Sequence, residues 1–236
     1  MKGQAKAIYS LVMLVCLGLL FYSHVLVPQQ QASEIQDFFN QEVNKASDGT
    51  FHMDRQPIGV LSVPKIGLRL IIYNNAGESA LSHGAGLVPG MSPLGEVGHA
   101  VLTAHNGDPT KDLFMKVPKL QKGDSFYIQL KDGPIYQYDI FQTQTVSPVN
   151  EFTHYTVSHH DKLVTLRTCV PIGINSDRFL ATGKEVGTVD TITEKPRVVL
   201  SVVDWGLILI CLIAFACLFQ SIWQERKVEG LEKTSS

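Results

Sequence analysis

Residues 163–179 read LVTLRTCVPIGINSDRF, and this stretch decides how the rest of the chain is interpreted. Its first seven residues have the apolar and β-branched content of a strand that ends at Cys169. A loop with proline and glycine follows, and a second strand begins at about Arg178. Two strands joined in this way can bring a cysteine and an arginine to the same end of a sheet.

The neighbouring sequence repeats the β pattern. Further short runs rich in β-branched and apolar residues are IGVLSVPKIGLRLIIYNN (58–75), GHAVLTAH (98–105), the hairpin-like SFYIQL and PIYQYDIFQTQTV around Asp132-Gly133, and DRFLATGKEV (177–186). Several short strands at regular spacing predict a mainly β domain, either a closed barrel or a sandwich.

The N-terminal region contains a long apolar segment. Residues 8–27 are nearly all apolar, with His24 as the only strongly polar interruption, and Lys2 and Lys6 precede them. About 20 apolar residues are enough to cross a bilayer. We expect an uncleaved anchor; a cleaved signal peptide is the alternative, because it has the same basic start.

A second apolar segment lies near the C-terminus. Residues 198–223 contain one costly charge, Asp204, so the expected span begins at Trp205 and ends at Trp223. The alternative is a buried C-terminal helix. Basic residues outside both segments predict that both termini are cytoplasmic, although Lys195 and Arg197 count weakly against this orientation.

These features predict a division of the chain into seven parts. A helix is expected within 28–57 because Ile35, Phe38, Phe39 and Val43 follow helical spacing. The predicted parts are a cytoplasmic N-terminus (1–7), a transmembrane anchor or signal (8–27), a juxtamembrane helix and linker (28–57), the β domain (58–190), a linker (191–204), a transmembrane helix (205–223) and a cytoplasmic tail (224–236).

The use of cysteine singles out one thiol. Three of the four cysteines lie in the apolar segments, and the β domain keeps only Cys169. A lone thiol in an exported domain is intermolecular, inert or reactive. A reactive thiol needs a basic neighbour, and His105 follows the apolar run AVLTA in the way that Cys169 follows LVTLRT. An arginine at the same rim, Arg178, could donate to a developing oxyanion.

Other kinds of site receive little support from the sequence. Taken alone, Cys169 could be an inert core thiol, His105 a surface loop residue and Arg178 a solvated strand end. Histidine spacing does not favour a zinc site, and the loops lack the dense carboxylates of a calcium site. A net charge of −2 gives no support to a nucleic-acid partner.

At these residues the sequence resembles the sortase family. TLRTC (165–169) with the arginine of DRF resembles the sortase signature, Thr-Leu-x-Thr-Cys with a downstream arginine, and HAVLTAHNG (99–107) resembles the segment that carries the sortase histidine. The resemblance covers about residues 58–186. The TCxPxGIN run and the C-terminal apolar segment are similar to class C sortases, which build pili in Gram-positive bacteria.

The resemblance implies a closed sortase-type β-barrel with short helices, flanked by N- and C-terminal transmembrane helices. It implies that Cys169 attacks a Leu-Pro-x-Thr-Gly-like sorting signal and forms a thioester. His105 would serve as acid and base, Arg178 would bind the oxyanion or substrate backbone, and Thr168 would help to hold the substrate. A pilin lysine would then accept the acyl group.

The same resemblance implies where the protein works and with what. It predicts a monomer in the cell membrane with the catalytic domain outside the cell, acting on secreted pilins or surface proteins, without cofactor, metal or nucleic acid. A housekeeping sortase that anchors proteins to the cell wall is an alternative. A non-catalytic, membrane-tethered β domain is another, and a metal-dependent hydrolase is a weaker one.

One departure from the class C pattern concerns the lid. Class C sortases commonly carry an Asp-Pro-aromatic motif before the barrel, where it covers the active site. The matching stretch here, SDGTFHMDRQPIG (47–59), has no such triplet. Either the lid is absent or it uses other residues.

Overall fold

The computed structural model describes residues 2–40, 56–106, 113–131, 133–155, 158–193, 200 and 202–233. The chain divides into two compact units. One unit, Gln29–Val199, holds the β domain. The other combines Met1–Pro28 with Leu200–Ser236 and holds the two apolar segments.

The β domain is a closed barrel, as the resemblance predicts. Its order is β1-β2-β3-β4-β7-β8-β6-β5, with β2–β3 and β4–β7 parallel and the other pairs antiparallel. The strands are β1 (Pro57–Val63), β2 (Leu68–Tyr73), β3 (Ala85–Leu87), β4 (Gly98–Thr103), β5 (Ser125–Leu130), β6 (Ile135–Val146), β7 (Lys162–Val170) and β8 (Asp177–Val189).

Helices occur at the ends of the chain and, as short elements, between strands. The α-helices in the described residues are α1 (Lys2–Phe21), α2 (Val27–Asn40), α3 (Glu78–Leu81) and α4 (Val202–Lys233), and a π-helical turn, Tyr22–Leu26, joins the first two. Short 3-10 helices span Pro64–Ile66, Val117–Lys119 and Glu151–His154.

Strand β3 was not predicted from the sequence. This strand has only three residues, Ala-Gly-Leu, of which none is β-branched, and it lies in a glycine-rich stretch. A Cβ atom at Gly84 would collide with the β2 backbone at Ile71, and one at Gly86 would collide with the backbone of Asn75, which follows β2. Glycine therefore allows β3 to pass close to β2, and it also removes the side-chain pattern by which a strand is predicted.

Side chains fill the interior of the barrel. Alternate residues of each strand point inward, as Ala100 and Leu102 of β4 and Val164 and Leu166 of β7 do. Phe126 and Tyr138 stack with ring centroids 5.1 Å apart and add to this core. The interior is thus a packed core rather than a channel, and a ligand must bind at a rim or on the outer face.

The amphipathic helix predicted before the barrel is present as α2. Ile35 and Phe38 are buried in a small cluster with Val60, Ile71 and Tyr73, on the outer face of β1 and β2. Val43, the last residue of the predicted apolar face, lies outside the described residues, as do residues 47–55 of the stretch that matches the lid region.

The two apolar helices contact each other through polar and sulfur atoms. His24 Nε2 lies 3.0 Å from an Asp204 carboxylate oxygen, which pairs the two polar residues that interrupt the apolar segments. The Cys211 thiol lies 3.8 Å from the Met13 carbonyl oxygen. Among the described residues, the helical stretches Gln4–Phe39 and Asp204–Gln224 are long and apolar enough to cross a membrane, which indicates membrane association.

We expect Phe38→Ala to lower the free energy of unfolding of the β domain by about 3 kcal/mol, because it empties the buried cluster under α2. Denaturant unfolding of the detergent-solubilised chain measures this change. Asp37→Ala, at the exposed neighbouring position, is the matched control and should have little effect. Equal stability of the two variants would show that α2 does not stabilise the barrel.

Candidate active site

Cys169 and Arg178 are direct neighbours across the β7–β8 pair. Their Cα atoms are partners in the antiparallel register, at the end of the pair next to the connecting turn. The N–H groups of Ile174 and Asn175 donate to the Pro171 carbonyl oxygen at 3.1 and 2.9 Å and close this turn. The proximity predicted from residues 163–179 therefore arises from local strand–turn–strand geometry.

A left-handed backbone makes the turn between these residues possible. Gly173 has φ +82° and Asn175 has φ +58°. Glycine adopts positive φ without steric cost, and asparagine tolerates the left-handed region better than most residues. The carbonyl oxygen of Asn175 is thereby available to accept a hydrogen bond from Arg178 Nη1 at 3.0 Å.

His105 reaches the same rim from β4. Strand β4 runs parallel to β7, and Thr103 pairs with Arg167, so two further residues along each strand lead to His105 and Cys169. Two hydrogen bonds hold these strand ends together. Asn106 Nδ2 donates to the Cys169 carbonyl oxygen at 2.5 Å, and Thr168 Oγ1 donates to the Ala104 carbonyl oxygen at 3.3 Å.

Strand alternation places Arg167 and Cys169 on the outer face of the barrel. Val164 and Leu166 belong to the interior core, so the odd-numbered residues of β7 point outward. Cys169 is half-buried, and its neighbour Thr168 is fully buried. In this structure the Thr168 hydroxyl donates to the Ala104 carbonyl oxygen, just after β4. The contact between Thr168 and substrate stays a prediction.

His105 is held from one side by α3. Its Nε2 atom lies 3.2 and 3.3 Å from the two carboxylate oxygens of Glu78. Because a carboxylate accepts hydrogen bonds, Nε2 carries the proton in this contact. The imidazole is 44% exposed, so it is accessible from solvent.

Behind Cys169 lies a cluster of charged residues on the outer face. Glu151 is buried and accepts hydrogen bonds from Arg167 Nε at 2.8 Å and Nη2 at 3.0 Å. Arg178 Nε lies 3.8 Å from the same carboxylate, and its Nη1 also donates to the Asp177 carbonyl oxygen at 3.0 Å. Two cations therefore share one anion, which leaves a net positive charge beside Cys169.

Burial and charge shift two pKa values in this cluster. Burial alone would lower the pKa of Arg167, but the hydrogen bond and negative charge of Glu151 outweigh it, so the pKa is raised. Burial, followed by the charge of Glu151, raises the pKa of Tyr155 to about 12. Arg167 stays charged and Tyr155 stays neutral throughout the physiological pH range.

Sequence reasoning missed four residues that support the site: Glu78, Asn106, Glu151 and Arg167. Arg167 could have been found from strand alternation, since it lies two residues before Cys169 on the same face. Asn106 directly follows His105. No local pattern identifies Glu78 or Glu151, because each reaches the site through tertiary contacts alone. Within the described residues, no group of three or more His, Cys, Asp or Glu side chains could hold a metal ion.

We expect Asn106→Ala to lower the free energy of unfolding by about 1 kcal/mol, because the Cys169 carbonyl oxygen loses its donor at a partly buried position. Denaturant unfolding of the solubilised chain measures the loss. Asn150→Ala, at an exposed position on the β6–β7 connection, is the matched control. An unchanged stability in Asn106→Ala would show that this bond does not hold the two strand ends together.

Comparison with known proteins gives a consistent family. A family model described as "Sortase domain" matches residues 61–186, more than half of the chain. Sortase A of Bacillus anthracis is 31% identical over 134 residues, which cover 57% of this chain and 62% of that protein. Sortase D of Bacillus subtilis (strain 168) is 29% identical over 161 residues, and the match covers 77% of that protein.

Solved structures of sortases from class C share the fold. Sortase C of Streptococcus pneumoniae is 33% identical with a TM-score of 0.54, over 70% of this chain and 95% of that chain. A pilus-related sortase C of Group B Streptococcus is 30% identical with a TM-score of 0.52. This match covers 68% of this chain and 93% of that chain.

Proposed function

This chain belongs to the sortase family, which indicates a cysteine transpeptidase, and we propose that it acts on secreted proteins with Leu-Pro-x-Thr-Gly-like sorting signals. The observation that carries the proposal is the row formed by the end of β4, the end of β7 and the start of β8. This row brings together His105, Cys169 and Arg178, the residues that match the sortase motif.

In the proposed first step, the Cys169 thiolate attacks the carbonyl carbon of the threonine in the Thr-Gly bond. The Arg178 guanidinium donates to the oxyanion that develops. As the C–N bond breaks, His105 gives a proton to the leaving amine, and Cys169 is left as a thioester. Thr168 supports this arrangement by tying β7 to the residue before His105.

In the proposed second step, an incoming amine loses a proton to His105 and attacks the thioester carbon. The amide bond forms, and the Cys169 thiolate leaves. We propose that the amine is a pilin lysine, because several similar solved structures are class C sortases and one of them is described as pilus-related. The product would be an isopeptide-linked pilin polymer.

The location of the enzyme is part of the proposal. The two helices that could cross a membrane would anchor a monomer in the cell membrane, with both ends of the chain in the cytoplasm. The barrel would then face the cell exterior, where sorting-signal proteins emerge.

We expect the wild-type chain, in detergent micelles with a Leu-Pro-x-Thr-Gly peptide, to gain the mass of the acyl group and lose it when an amine is added. Cys169→Ala should gain no mass, because the thioester cannot form. Cys217→Ala, which removes a thiol from α4, is the matched control and should react like the wild type. Acylation of Cys169→Ala, or inactivity of the folded wild type with several peptide variants, would contradict the proposal.

A housekeeping sortase is the second candidate, since Sortase A of Bacillus anthracis is among the curated relatives. The two functions differ in the acceptor amine. We expect the acyl-enzyme to transfer at least tenfold faster to a folded pilin domain with its lysine than to an amine that mimics cell-wall peptide, because differential binding in the transition state sets acceptor choice. Mass spectrometry of competing products measures the ratio. The reverse preference would favour cell-wall anchoring.

A further inference from the structure

A buried carboxylate lies between two arginines on the outer face of the barrel, next to the predicted catalytic row. Glu151 is only 5% exposed and begins the 3-10 helix in the β6–β7 connection. Both of its oxygens are hydrogen-bonded to Arg167, in a bidentate pair with distances of 2.8 and 3.0 Å. Arg167 Nη1 also donates to Thr103 Oγ1 at 3.1 Å, so this pair is well anchored.

The charge of Glu151 is already balanced by Arg167, so the nearby Arg178 needs a separate explanation. Arg178 presents its Nε atom to Glu151 at 3.8 Å, and its Nη1 atom donates to the carbonyl oxygens of Asn175 and Asp177. These contacts restrain two of the three nitrogen atoms of a rigid, planar group. Nη2 makes no hydrogen bond to any residue that the structure describes, so its two N–H groups are available to a ligand.

We propose that Glu151 is a positioning residue that sets the orientation of the Arg178 guanidinium, so that Nη2 faces the acyl oxygen while the Cys169 thioester forms. This inference rests on the proposed function. Donors that are oriented before the reaction stabilise a developing oxyanion without a cost of reorganisation. Arg167 keeps the Glu151 carboxylate in place, and the carbonyl oxygens of the β7–β8 turn restrain the other side of Arg178.

A simpler role for Glu151 must be distinguished from this one. The Glu151–Arg167 pair could serve only to tie the β6–β7 connection to β7, without acting on Arg178. The two roles differ in what removal of Arg167 does. If the pair only ties the β6–β7 connection to β7, removing Glu151 and removing Arg167 have the same effect. If Glu151 orients Arg178, that orientation survives the loss of Arg167, because Arg178 then becomes the only arginine partner of Glu151 among the described residues.

The kinetic test compares Glu151→Gln with wild type, in the full chain and with the sorting-signal peptide. We expect kcat to fall about 10- to 100-fold while KM changes less than about twofold, since the lost interaction acts in the transition state. In an Arg178→Ala background, Glu151→Gln should cause no further loss. Glu96→Gln, at an exposed position, is the matched control.

A second test does not depend on the peptide. Phenylglyoxal modifies arginine side chains, and mass spectrometry of the digested full chain gives the rate at each arginine. We expect Arg178 to be modified several-fold faster in Glu151→Gln than in wild type, with the exposed Arg69 unchanged. In Arg167→Gln, Arg178 should stay as slow as in wild type.

Two results would overturn the positioning role. One is a further loss of kcat when Glu151→Gln is added to Arg178→Ala, equal to the loss that Glu151→Gln causes in the wild type. The other is an equally fast modification of Arg178 in Glu151→Gln and Arg167→Gln, which is the behaviour of a simple tie. The wild-type chain could form no acyl-enzyme while the variants still show the expected phenylglyoxal pattern. That result would refute the proposed function and still support the orientation of Arg178 by Glu151.

Discussion

The parallel pairing of β4 with β7 is the constraint on which the site depends. Parallel strands have their carboxyl ends at the same edge of a sheet, so the residues that follow each strand lie close together. Here His105 follows β4 and Cys169 lies near the end of β7. Strand β8 pairs antiparallel with β7 and places Arg178 beside Cys169. A hydrogen bond from Asn106 to the Cys169 carbonyl oxygen joins the ends of β4 and β7 directly.

Apart from the inward Thr168, the polar residues of the site lie on the outer face of the barrel. Inward residues of β4, β7 and β8 form an apolar core, and outward residues form successive rows across the three strands. In one row, Thr165 and its β8 partner Thr182 share a hydrogen bond of 2.8 Å. His99 of β4 contacts the same Thr165 hydroxyl diagonally, at 2.7 Å. The next outward position on β7 is Arg167, which binds Glu151. The β6–β7 connection thus reaches the outer face beside the row that contains Cys169.

Sequence reasoning identified what local geometry determines. Cys169 and Arg178 belong to one strand–turn–strand unit, and His105 ends an apolar run, so all three could be proposed as candidates. The strand pattern predicted a barrel or a sandwich, and the resemblance to sortases favoured the closed barrel. Strand β3 was missed because close packing requires glycine there. Glu151 was missed because its partner Arg167 is 16 residues away and nothing local links them. The inward position of Thr168 was available from alternation, since it follows outward Arg167.

The length of the connection between β4 and β7 has a further consequence for folding. Asn106 and Cys169 are bonded although 63 residues separate them in sequence, and the intervening chain contributes β5 and β6 to the barrel. Contacts of this kind raise the contact order and slow folding, because a large loop must close before they form. The row of His105, Cys169 and Arg178 is therefore complete only in a chain in which β4 has paired with β7. The β7–β8 hairpin can place Arg178 beside Cys169 through local contacts, whereas the approach of His105 depends on the long-range pairing of β4 with β7.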